Sequence, residues 1–340
     1  MPELRKDPVV GRWVIISTER ARRPGTIIDP QREAMDDDNA PCPFCHNQDP
    51  EIYAIPNDDP RVASPWKVRV TPSGTPLLKM APQFKRRGHG LYDVINDYGV
   101  HEVVIETPEH IANMADLSEA QISAVFQVYR TRMRELSKDK NFLYVIAYKN
   151  YGWAAGSRNI GHSRSQIIAS PVNPLAVKGK MVGAKKYFDY HDRCLFCDLI
   201  RQESKDRTRV VTESEHFIAV TPYAPRFSFE ICLLPKEHQC DFVKGVAGKE
   251  GDLAKIFKEV LTRLKVGLDD PSYNYVLHTA PFRSQDRGVR WPTIEEDYHW
   301  HIEVMPRLTR VAGFEKGSGF HICSIPPENT AEFLREVELP

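Results

Sequence analysis

The tetrapeptide Cys42-Pro-Phe-Cys45 returns as Cys194-Leu-Phe-Cys197, 152 residues further along a chain of 340 residues. Two copies of one pattern, each near the start of one half, indicate an internal repeat. A chain of this length is typical of two domains, each large enough to bury its own core. The sequence therefore predicts a duplicated unit, with one domain at 1–175 and a second at 176–340.

The same order of secondary structure follows each cysteine pair. In chain order the hydrophobic periodicity predicts a helix at 117–138, strands at 141–148 and 162–170, then a helix at 252–268 and strands at 274–282 and 299–307. The last strand of each half begins with a histidine, His162 or His299. This order predicts an α+β fold built by duplication. The segment 171–193, which contains prolines and lysines, is predicted to be the linker between the halves.

Charge and composition exclude several classes of function. The chain has 46 lysines and arginines against 46 aspartates and glutamates, so its net charge is zero, and 41% of its residues are hydrophobic. A neutral chain has no general attraction for nucleic acid or an anionic membrane. It has no apolar run of about 18 residues, and its first residues form no apolar signal-peptide core. We therefore expect a cytoplasmic globular protein that binds neither nucleic acid nor membranes.

Each CxxC pair has three possible interpretations: a zinc site, a disulfide or a thioredoxin-like redox pair. The redox interpretation requires CxxC at the start of a helix that follows a strand, and the sequence predicts that context for neither pair. A cytosolic compartment disfavours a structural disulfide. A zinc site needs two further ligands for each pair. Histidines at matching positions supply them, one before the predicted helix and one at the start of the last strand.

The candidate zinc quartets are Cys42/Cys45/His110/His162 and Cys194/Cys197/His238/His299. Four protein ligands close a zinc site, so we expect zinc to stabilise the fold and to take no direct part in chemistry. His46 and His191 are rival ligands, ranked lower because neither has a counterpart in the other half. The remaining Cys232, Cys240 and Cys323 are predicted to be packing residues.

Seven segments, spread over almost the whole chain, carry a more specific signal. They are GRWVIISTERARRPG at 11–25, CPFC at 42–45, ETPEH at 106–110, HSRSQ at 162–166, CLFCDLIRQE at 194–203, PYAPRFSFEICLLPKEH at 222–238 and YHWHIEVMPRLTRVAGFE at 298–315. Together they resemble the galactose-1-phosphate uridylyltransferase family of the histidine-triad superfamily, including its branch of adenylyl-transferring phosphorylases. The resemblance implies two tandem histidine-triad-like domains with antiparallel sheets and flanking helices, usually in a homodimer. It also implies ping-pong transfer of a nucleotidyl group, through a nucleotidyl-histidine, between a sugar nucleotide and a sugar 1-phosphate or phosphate.

The resemblance implies roles for individual residues as well. It assigns a zinc ion to the first quartet and, as in some members, another to the second, so one or two zinc ions per chain are expected. In other members His278, His299 and His301 would help to bind a second metal, and that alternative stays open. The other implied roles are phosphate binding by Arg20, Arg23 and Asn150, stabilisation of the reacting phosphate group by Gln166, and binding of sugar hydroxyls by Glu315.

One residue departs from the family's chemistry. The family motif His-x-His-x-Gln supplies the nucleophile at its second histidine, and this chain has Arg164 there, in HSRSQ. A guanidinium stays protonated and cannot attack phosphorus, but it can hold a phosphate by paired hydrogen bonds. The stretch at 73–75, which begins with Ser73, also departs from the family's nucleoside-contacting segment, and the loop at 157–161 lacks the family's run of glycine and serine.

Three functional hypotheses follow from this departure. The first is a nucleotidyltransferase with a variant mechanism, either by direct transfer or through another nucleophile, such as His301, which occupies in the second half the position of Arg164. Glu303, where the first half has Gln166, weighs against His301 because a carboxylate repels a phosphate. The second is a non-catalytic protein that binds a nucleotide or sugar phosphate. The third is an ordinary transferase in which Arg164 is an introduced or accidental substitution.

Overall fold

One antiparallel sheet of ten strands runs through both halves of the protein. The structure is a computed structural model, and it describes residues 2–18, 42–45, 49–58, 64–157, 161–283 and 291–340. In chain order the strands are β1 (Glu3–Lys6), β2 (Trp13–Ile16), β3 (Tyr53–Pro56), β4 (Trp66–Pro72), β5 (Arg86–His89), β6 (Tyr92–Ile95), β7 (Val100–Ile105), β8 (Tyr144–Tyr151), β9 (Arg164–Ser170), β10 (Val210–Glu213), β11 (Phe217–Val220), β12 (Ile231–Pro235), β13 (Tyr273–His278), β14 (His301–Pro306) and β15 (His321–Cys323). The large sheet has the order β10-β11-β12-β14-β13-β8-β9-β7-β4-β3.

The order of strands in this sheet reflects the internal duplication. Outward from its centre, β8-β9-β7-β4-β3 on one side matches β13-β14-β12-β11-β10 on the other. The two central strands pair antiparallel, with Tyr273 opposite Tyr151 and Leu277 opposite Ala147. The prediction of a duplicated α+β unit is therefore confirmed, with the two halves joined in a single sheet. The domain boundary between 175 and 176 stays a prediction.

Helices of both halves pack together on one face of the sheet. In chain order the α-helices are α1 (Glu119–Leu136), α2 (Leu175–His191), α3 (Leu195–Asp206), α4 (Phe242–Gly245), α5 (Glu250–Gly267), α6 (Ile294–Asp297), α7 (Gly313–Ser318) and α8 (Pro327–Glu336). Phe126 of α1 lies edge-on to Phe257 of α5 at 5.4 Å, and Phe257 lies 5.2 Å from Tyr275 of β13. The main core between α1, α5 and the sheet is thus common to both halves. None of the described helices has the length and apolar character needed to cross a membrane.

The segment predicted to be a linker is mostly helical. α2 occupies most of 171–193, and its residues Val177 and Met181 are buried in a small apolar cluster with Tyr298. Gly183 lies so close to the N-terminal segment that an added Cβ would be 1.6 Å from the carbonyl oxygen of Val9. α2 is therefore a packed part of the second half.

A small second sheet ties the N-terminal residues to the second half. β2 pairs antiparallel with β1 and parallel with β15, and this parallel pair departs from the predicted antiparallel arrangement. Arg5 of β1 donates a hydrogen bond to Glu328 of α8 at 2.8 Å, and Arg209 donates to the same carboxylate at 3.0 Å. These contacts place residues 7–12 against α2 and α3, where they help to line a cavity on the second half.

Candidate functional site

The first cysteine and histidine quartet assembles beside the start of β9. His162 lies two residues before β9, and His110 follows β7, the strand paired with β9. Residues 42–45 bring Cys42 and Cys45 to the two histidines. All four ligand atoms lie within 4.8 Å of one another. The structure therefore brings together the four residues that the sequence grouped.

This donor set fits a tetrahedral zinc ion. Bonds of about 2.3 Å to sulfur and about 2.0 Å to nitrogen place those two ligand atoms roughly 3.5 Å apart. The Sγ of Cys45 lies 3.3 Å from Nδ1 of His110, and Nδ1 of His162 lies 3.6 and 3.5 Å from Sγ of Cys42 and Cys45. The Nε2 of His162 lies 2.8 Å from the carbonyl oxygen of Thr107. Because a carbonyl can only accept, Nε2 carries the proton and Nδ1 offers its lone pair to a metal.

The second quartet repeats this geometry in the second half, again with its ligand atoms within 4.8 Å of one another. Nδ1 of His238 lies 3.3 Å from Sγ of Cys197. Nδ1 of His299 lies 3.7 Å from Cys197 and 4.0 Å from Cys194. The Nε2 atom of each histidine lies 2.9 Å from a backbone carbonyl oxygen. These residues also fit a zinc ion.

The second cysteine pair lies at the start of a helix. Cys194 is the N-cap of α3, and Cys197 lies in its first turn. A hydrogen bond with Cys194 lowers the pKa of the Cys197 thiol, and hydrogen bonds with His238 and His299 lower it further. A thiolate is the form that binds metal. Since α3 follows α2, the pair does not have the strand-then-helix context of a thioredoxin-like redox site.

His278, His301 and Glu303 form a third cluster, on the neighbouring strands β13 and β14. The Nζ of Lys180 lies 2.7 Å from Nε2 of His301 and 2.6 Å from a carboxylate oxygen of Glu303. The guanidinium of Arg226 donates to the other oxygen of Glu303 at 2.7 Å. A divalent cation here would meet two positive charges in a buried site. This third cluster therefore does not fit a metal ion.

Both ring nitrogens of His301 are already engaged. Besides the contact with Lys180, its Nδ1 lies 2.9 Å from the carbonyl oxygen of His299, and Phe196 stacks on its ring. Burial and the charge of Lys180 lower the pKa of His278 to about 4 and hold the pKa of His301 well below its usual range. His301 is thus neutral and buried, in contact with Lys180 of α2 and Phe196 of α3.

The residues predicted to act on phosphate share one face of the sheet. Arg164 and Gln166 are two residues apart on β9, so their side chains project from the same face. Tyr148 of β8 lies opposite Gln166, and Asn150, two residues further along, projects from that face as well. This surface, Arg164, Gln166 and Asn150, is called the donor face below.

Arg164 links the donor face to the first quartet. Its guanidinium carbon lies 5.3 Å from the ring centroid of Phe44, within the CPFC segment, a cation–π distance. One terminal nitrogen donates to the hydroxyl of Ser157 at 3.2 Å, and the other donates to the carbonyl oxygen of His162 at 3.3 Å. The guanidinium of Arg164 is therefore held between the CPFC segment and the loop that follows β8.

A buried ion pair lies on the opposite side of β8 and β9. The Nζ of Lys149 lies 2.5 Å from a carboxylate oxygen of Glu106, and the two side chains are 1% and 0% exposed. The same Nζ donates to the hydroxyl of Ser163 at 2.9 Å and to the carbonyl oxygen of Arg164 at 3.0 Å. Through these hydrogen bonds Lys149 holds the HSRSQ motif on the side of the sheet opposite the donor face. The sequence does not reveal this pair because Lys149 and Glu106 lie 43 residues apart in the chain.

The other predicted site residues have varied positions. Ser73 directly follows β4, and its backbone N–H donates to a carbonyl of β7. Glu315 lies on α7, where its two carboxylate oxygens accept backbone N–H groups at 3.0 and 3.2 Å. His191 stacks on Tyr187 at the end of α2 and is not a member of the second quartet. The residues Arg20, Arg23 and His46 lie outside the described residues. The cysteines predicted to be packing residues are buried or partly buried free thiols: Cys232, Cys240 and Cys323.

A duplicated antiparallel sheet with a Cys2His2 quartet before an inner strand of each half defines a two-domain protein of the histidine-triad type. The galactose-1-phosphate uridyl transferase N-terminal domain matches residues 1–174, and the C-terminal domain of the same enzyme matches residues 181–334. The chain therefore belongs to the galactose-1-phosphate uridyl transferase family, a family of transferases.

Individual relatives support this assignment along the whole chain. An ADP-glucose phosphorylase of Arabidopsis thaliana is 34% identical, over 99% of this chain and 93% of its own length. A galactose-1-phosphate uridylyltransferase of Thermotoga maritima is 27% identical, over 100% of this chain and 99% of its own. The crystal structure of an ADP-glucose phosphorylase from Arabidopsis thaliana with bound ADP-glucose is 33% identical and has a TM-score of 0.82, with all of both chains covered.

Proposed function

We propose that the protein transfers an adenylyl group from ADP-glucose to inorganic phosphate, releasing ADP and glucose 1-phosphate. The observation that carries this proposal is the donor face, where a guanidinium and two carboxamides lie together on β8 and β9. Such donors bind phosphoryl oxygens. The choice of adenylyl over uridylyl rests on the 34% identity with an ADP-glucose phosphorylase, against 27% with a uridylyltransferase.

The transfer is direct and does not pass through a nucleotidyl-enzyme. A phosphate oxygen attacks the α-phosphorus of ADP-glucose and forms the new P–O bond. The bond from that phosphorus to the bridging oxygen breaks, and glucose 1-phosphate leaves with the electron pair. Arg164 cannot serve as a nucleophile, but its charge stabilises the oxygens of the α-phosphoryl group as the bonds change. His301 is unsuited to replace it because both of its ring nitrogens are engaged in a buried site.

The two quartets hold zinc ions with a structural role. Four protein ligands fill the coordination of each ion and leave no position for substrate. In the first half the ligands Cys42, Cys45 and His162 anchor the segments that flank Arg164. Zinc therefore fixes the donor face without taking part in the reaction. A homodimer is part of this proposal, by analogy with the family, and is tested by light scattering; cytoplasmic location stays a prediction.

Two assays on the purified protein test the proposal. The first measures ADP formation from ADP-glucose and phosphate, with UDP-glucose and galactose 1-phosphate as the alternative pair. The second asks whether labelled glucose 1-phosphate exchanges into ADP-glucose when phosphate and ADP are absent, and whether the protein gains the mass of an adenylyl group, which marks a nucleotidyl-enzyme. We expect turnover in the first assay and no exchange in the second. The variant Arg164→His is expected to gain the exchange, and Arg164→Met to lose turnover.

A non-catalytic binding protein is the second candidate, favoured by the missing nucleophile at Arg164. It predicts that ADP-glucose raises the melting temperature although neither substrate pair turns over. That result would overturn the proposed phosphorylase. Exchange together with an adenylyl group on the unmodified protein would overturn only the direct mechanism, because it would reveal a nucleophile, and mass spectrometry of the labelled protein would locate it.

A further inference from the structure

The carboxamide of Gln166 has its oxygen held by two donors. Oε1 lies 2.8 Å from the hydroxyl of Tyr148 and 2.6 Å from Nε2 of His101. The tautomer of His101 follows from its other nitrogen, which accepts the backbone N–H of Leu77 at 3.1 Å. Since Nδ1 accepts, Nε2 carries the proton and donates it to Gln166.

The orientation of this carboxamide is therefore fixed. A carboxamide can present either its oxygen or its NH2 group, and the two ends attract opposite charges. In a flipped amide the NH2 group would face the N–H of His101, which cannot accept a hydrogen bond; the hydroxyl of Tyr148 adds a second hydrogen bond to the observed orientation. Among the described residues Nε2 of Gln166 makes no hydrogen bond, so its two N–H groups are available to a ligand on the donor face.

Asn150 is oriented in the same way by a residue of the other half. Asn274 lies opposite Asn150 in the pairing of β13 with β8. Its Nδ2 donates to Oδ1 of Asn150 at 2.8 Å and to the carbonyl oxygen of Ala155 at 2.9 Å. The oxygen of Asn150 is thereby engaged, and its NH2 group is the end that remains for a ligand.

We propose that Tyr148, His101 and Asn274 are positioning residues that turn the amide N–H groups of Gln166 and Asn150 toward a bound phosphoryl group beside Arg164. The inference rests on the proposed function for the identity of the ligand. With the opposite orientation two carbonyl oxygens would face the phosphate and repel it. The three residues thus determine whether the two amides present N–H groups or oxygens to the substrate, without touching it themselves.

The second half lacks this arrangement at the corresponding positions. Glu303 replaces Gln166, and the strand pairing places Val276 opposite Glu303, where the first half has Tyr148 opposite Gln166. A carboxylate needs no orienting donors because both of its oxygens are acceptors, and Glu303 is paired with Lys180 and Arg226. The orienting donors therefore occur in the half that carries the anion-binding residues.

The first test is a double-mutant cycle on kcat/KM for ADP-glucose phosphorolysis. A hydrogen bond to a charged group is worth roughly 10- to 100-fold. We expect a loss in that range for Gln166→Ala and about fivefold for Tyr148→Phe, which leaves His101 as the second donor. In the Gln166→Ala background, Tyr148→Phe should have no further effect, because Tyr148 acts through Gln166. Equal losses from Tyr148→Phe in both backgrounds would overturn the positioning role.

Two further variants make this test more specific: a matched control, and one in which a hydrogen-bond donor is replaced by an acceptor. Tyr98→Phe also removes one buried hydroxyl, whose partner Asp139 lies away from the donor face, and it should leave kcat/KM unchanged. Asn274→Asp replaces the donor to Asn150 by an acceptor, which forces the amide to flip. We expect a larger loss from Asn274→Asp than from Asn274→Ala, although aspartate is closer in shape to asparagine. The opposite order would contradict the orientation argument.

An assay without turnover separates this inference from the proposed function. In protein labelled with ¹⁵N-glutamine, the side-chain NH2 signals of Gln166 are identified by their loss in Gln166→Ala. Inorganic phosphate should shift these signals in the unmodified protein and shift them severalfold less in a variant carrying both Tyr148→Phe and His101→Leu. If the enzyme assay fails but this pattern appears, the positioning role stands and the proposed reaction falls. Equal shifts in both proteins would refute the positioning role itself.

Discussion

Replacement of Lys149 by methionine should strongly destabilise the protein. Lys149 and Glu106 form an ion pair at 2.5 Å, and both side chains are almost completely buried. Without the ammonium, the carboxylate keeps, among the described residues, the hydroxyl of Ser163 at 2.6 Å and a long contact with Tyr275 at 3.5 Å. Removing one partner of a buried pair typically destabilises by about 3–5 kcal/mol. Because a domain is stable by only about 5–15 kcal/mol, Lys149→Met should bring the protein close to unfolding.

A second variant separates the lost charge pair from lost packing. Lys149→Met combined with Glu106→Gln removes both charges and keeps the side-chain volumes similar, so no carboxylate is left buried without a partner. We expect this double variant to be more stable than Lys149→Met alone by roughly 1.5–3 kcal/mol. The second half supports this, since Leu277, at the position equivalent to Lys149 in the strand pairing, is fully buried and apolar.

Urea denaturation followed by circular dichroism, at a fixed zinc concentration, measures both variants. The reasoning fails if Lys149→Met loses less than about 1 kcal/mol, which would mean that water or another cation solvates Glu106. It also fails if the double variant is as unstable as the single one, because the loss would then reflect packing and not charge.

Three other predictions concern metal content, pH and the loop after β8. Mass spectrometry of metals should find two zinc ions per chain, one per quartet, and one ion fewer in Cys45→Ser; a third ion would contradict the role of Lys180 in the third cluster. Burial lowers the pKa of His278 from 6.5 to about 4, so the unfolded chain takes up the proton first as the pH falls. Stability from this group is therefore complete above about pH 6.5 and about 2 kcal/mol lower at pH 5, and thermal unfolding of His278→Gln should show a smaller loss over that interval. Gly152 has φ of 77°, and an added Cβ would lie 2.1 Å from the hydroxyl of Ser272. Gly152→Ala should therefore destabilise by about 1–3 kcal/mol and slow the proposed phosphorolysis, whereas unchanged unfolding in urea would contradict this.

The predicted elements that agree with the structure are those in which apolar residues recur at a regular helical spacing. The apolar spacing of 117–138 and 252–268 fits α1 and α5, because each helix buries one continuous face against the sheet. The packing of α2 could not be predicted from its apolar spacing, because Lys180 lies on its buried side and lysine is usually an exposed residue. Its partner Glu303 is 123 residues away, and only the folded sheet brings the two together.

The candidate site also has a part that the sequence predicts and a part that only the folded structure shows. The quartets were predictable because the same spacing of cysteine and histidine occurs twice, and chance seldom repeats such a pattern. Tyr148 and Asn274 could not be predicted, because their roles depend on which residues face each other across paired strands. A shift of one residue in that pairing would turn their side chains to the opposite face of the sheet. The sequence alone identifies Arg164 as a candidate site residue, but its contact with Phe44 depends on the packing of the CPFC segment.

The pairing of β8 with β13 has a consequence for dividing the chain. A cut near residue 172 would give two fragments, and each would expose the edge of what is now a central strand. Unpaired strand edges of this kind promote aggregation. The halves are therefore poor candidates for separate expression, but the same edges are complementary. Co-expression should let the fragments reassemble through this seam, so the protein could serve as a split enzyme whose activity reports on the meeting of its two halves.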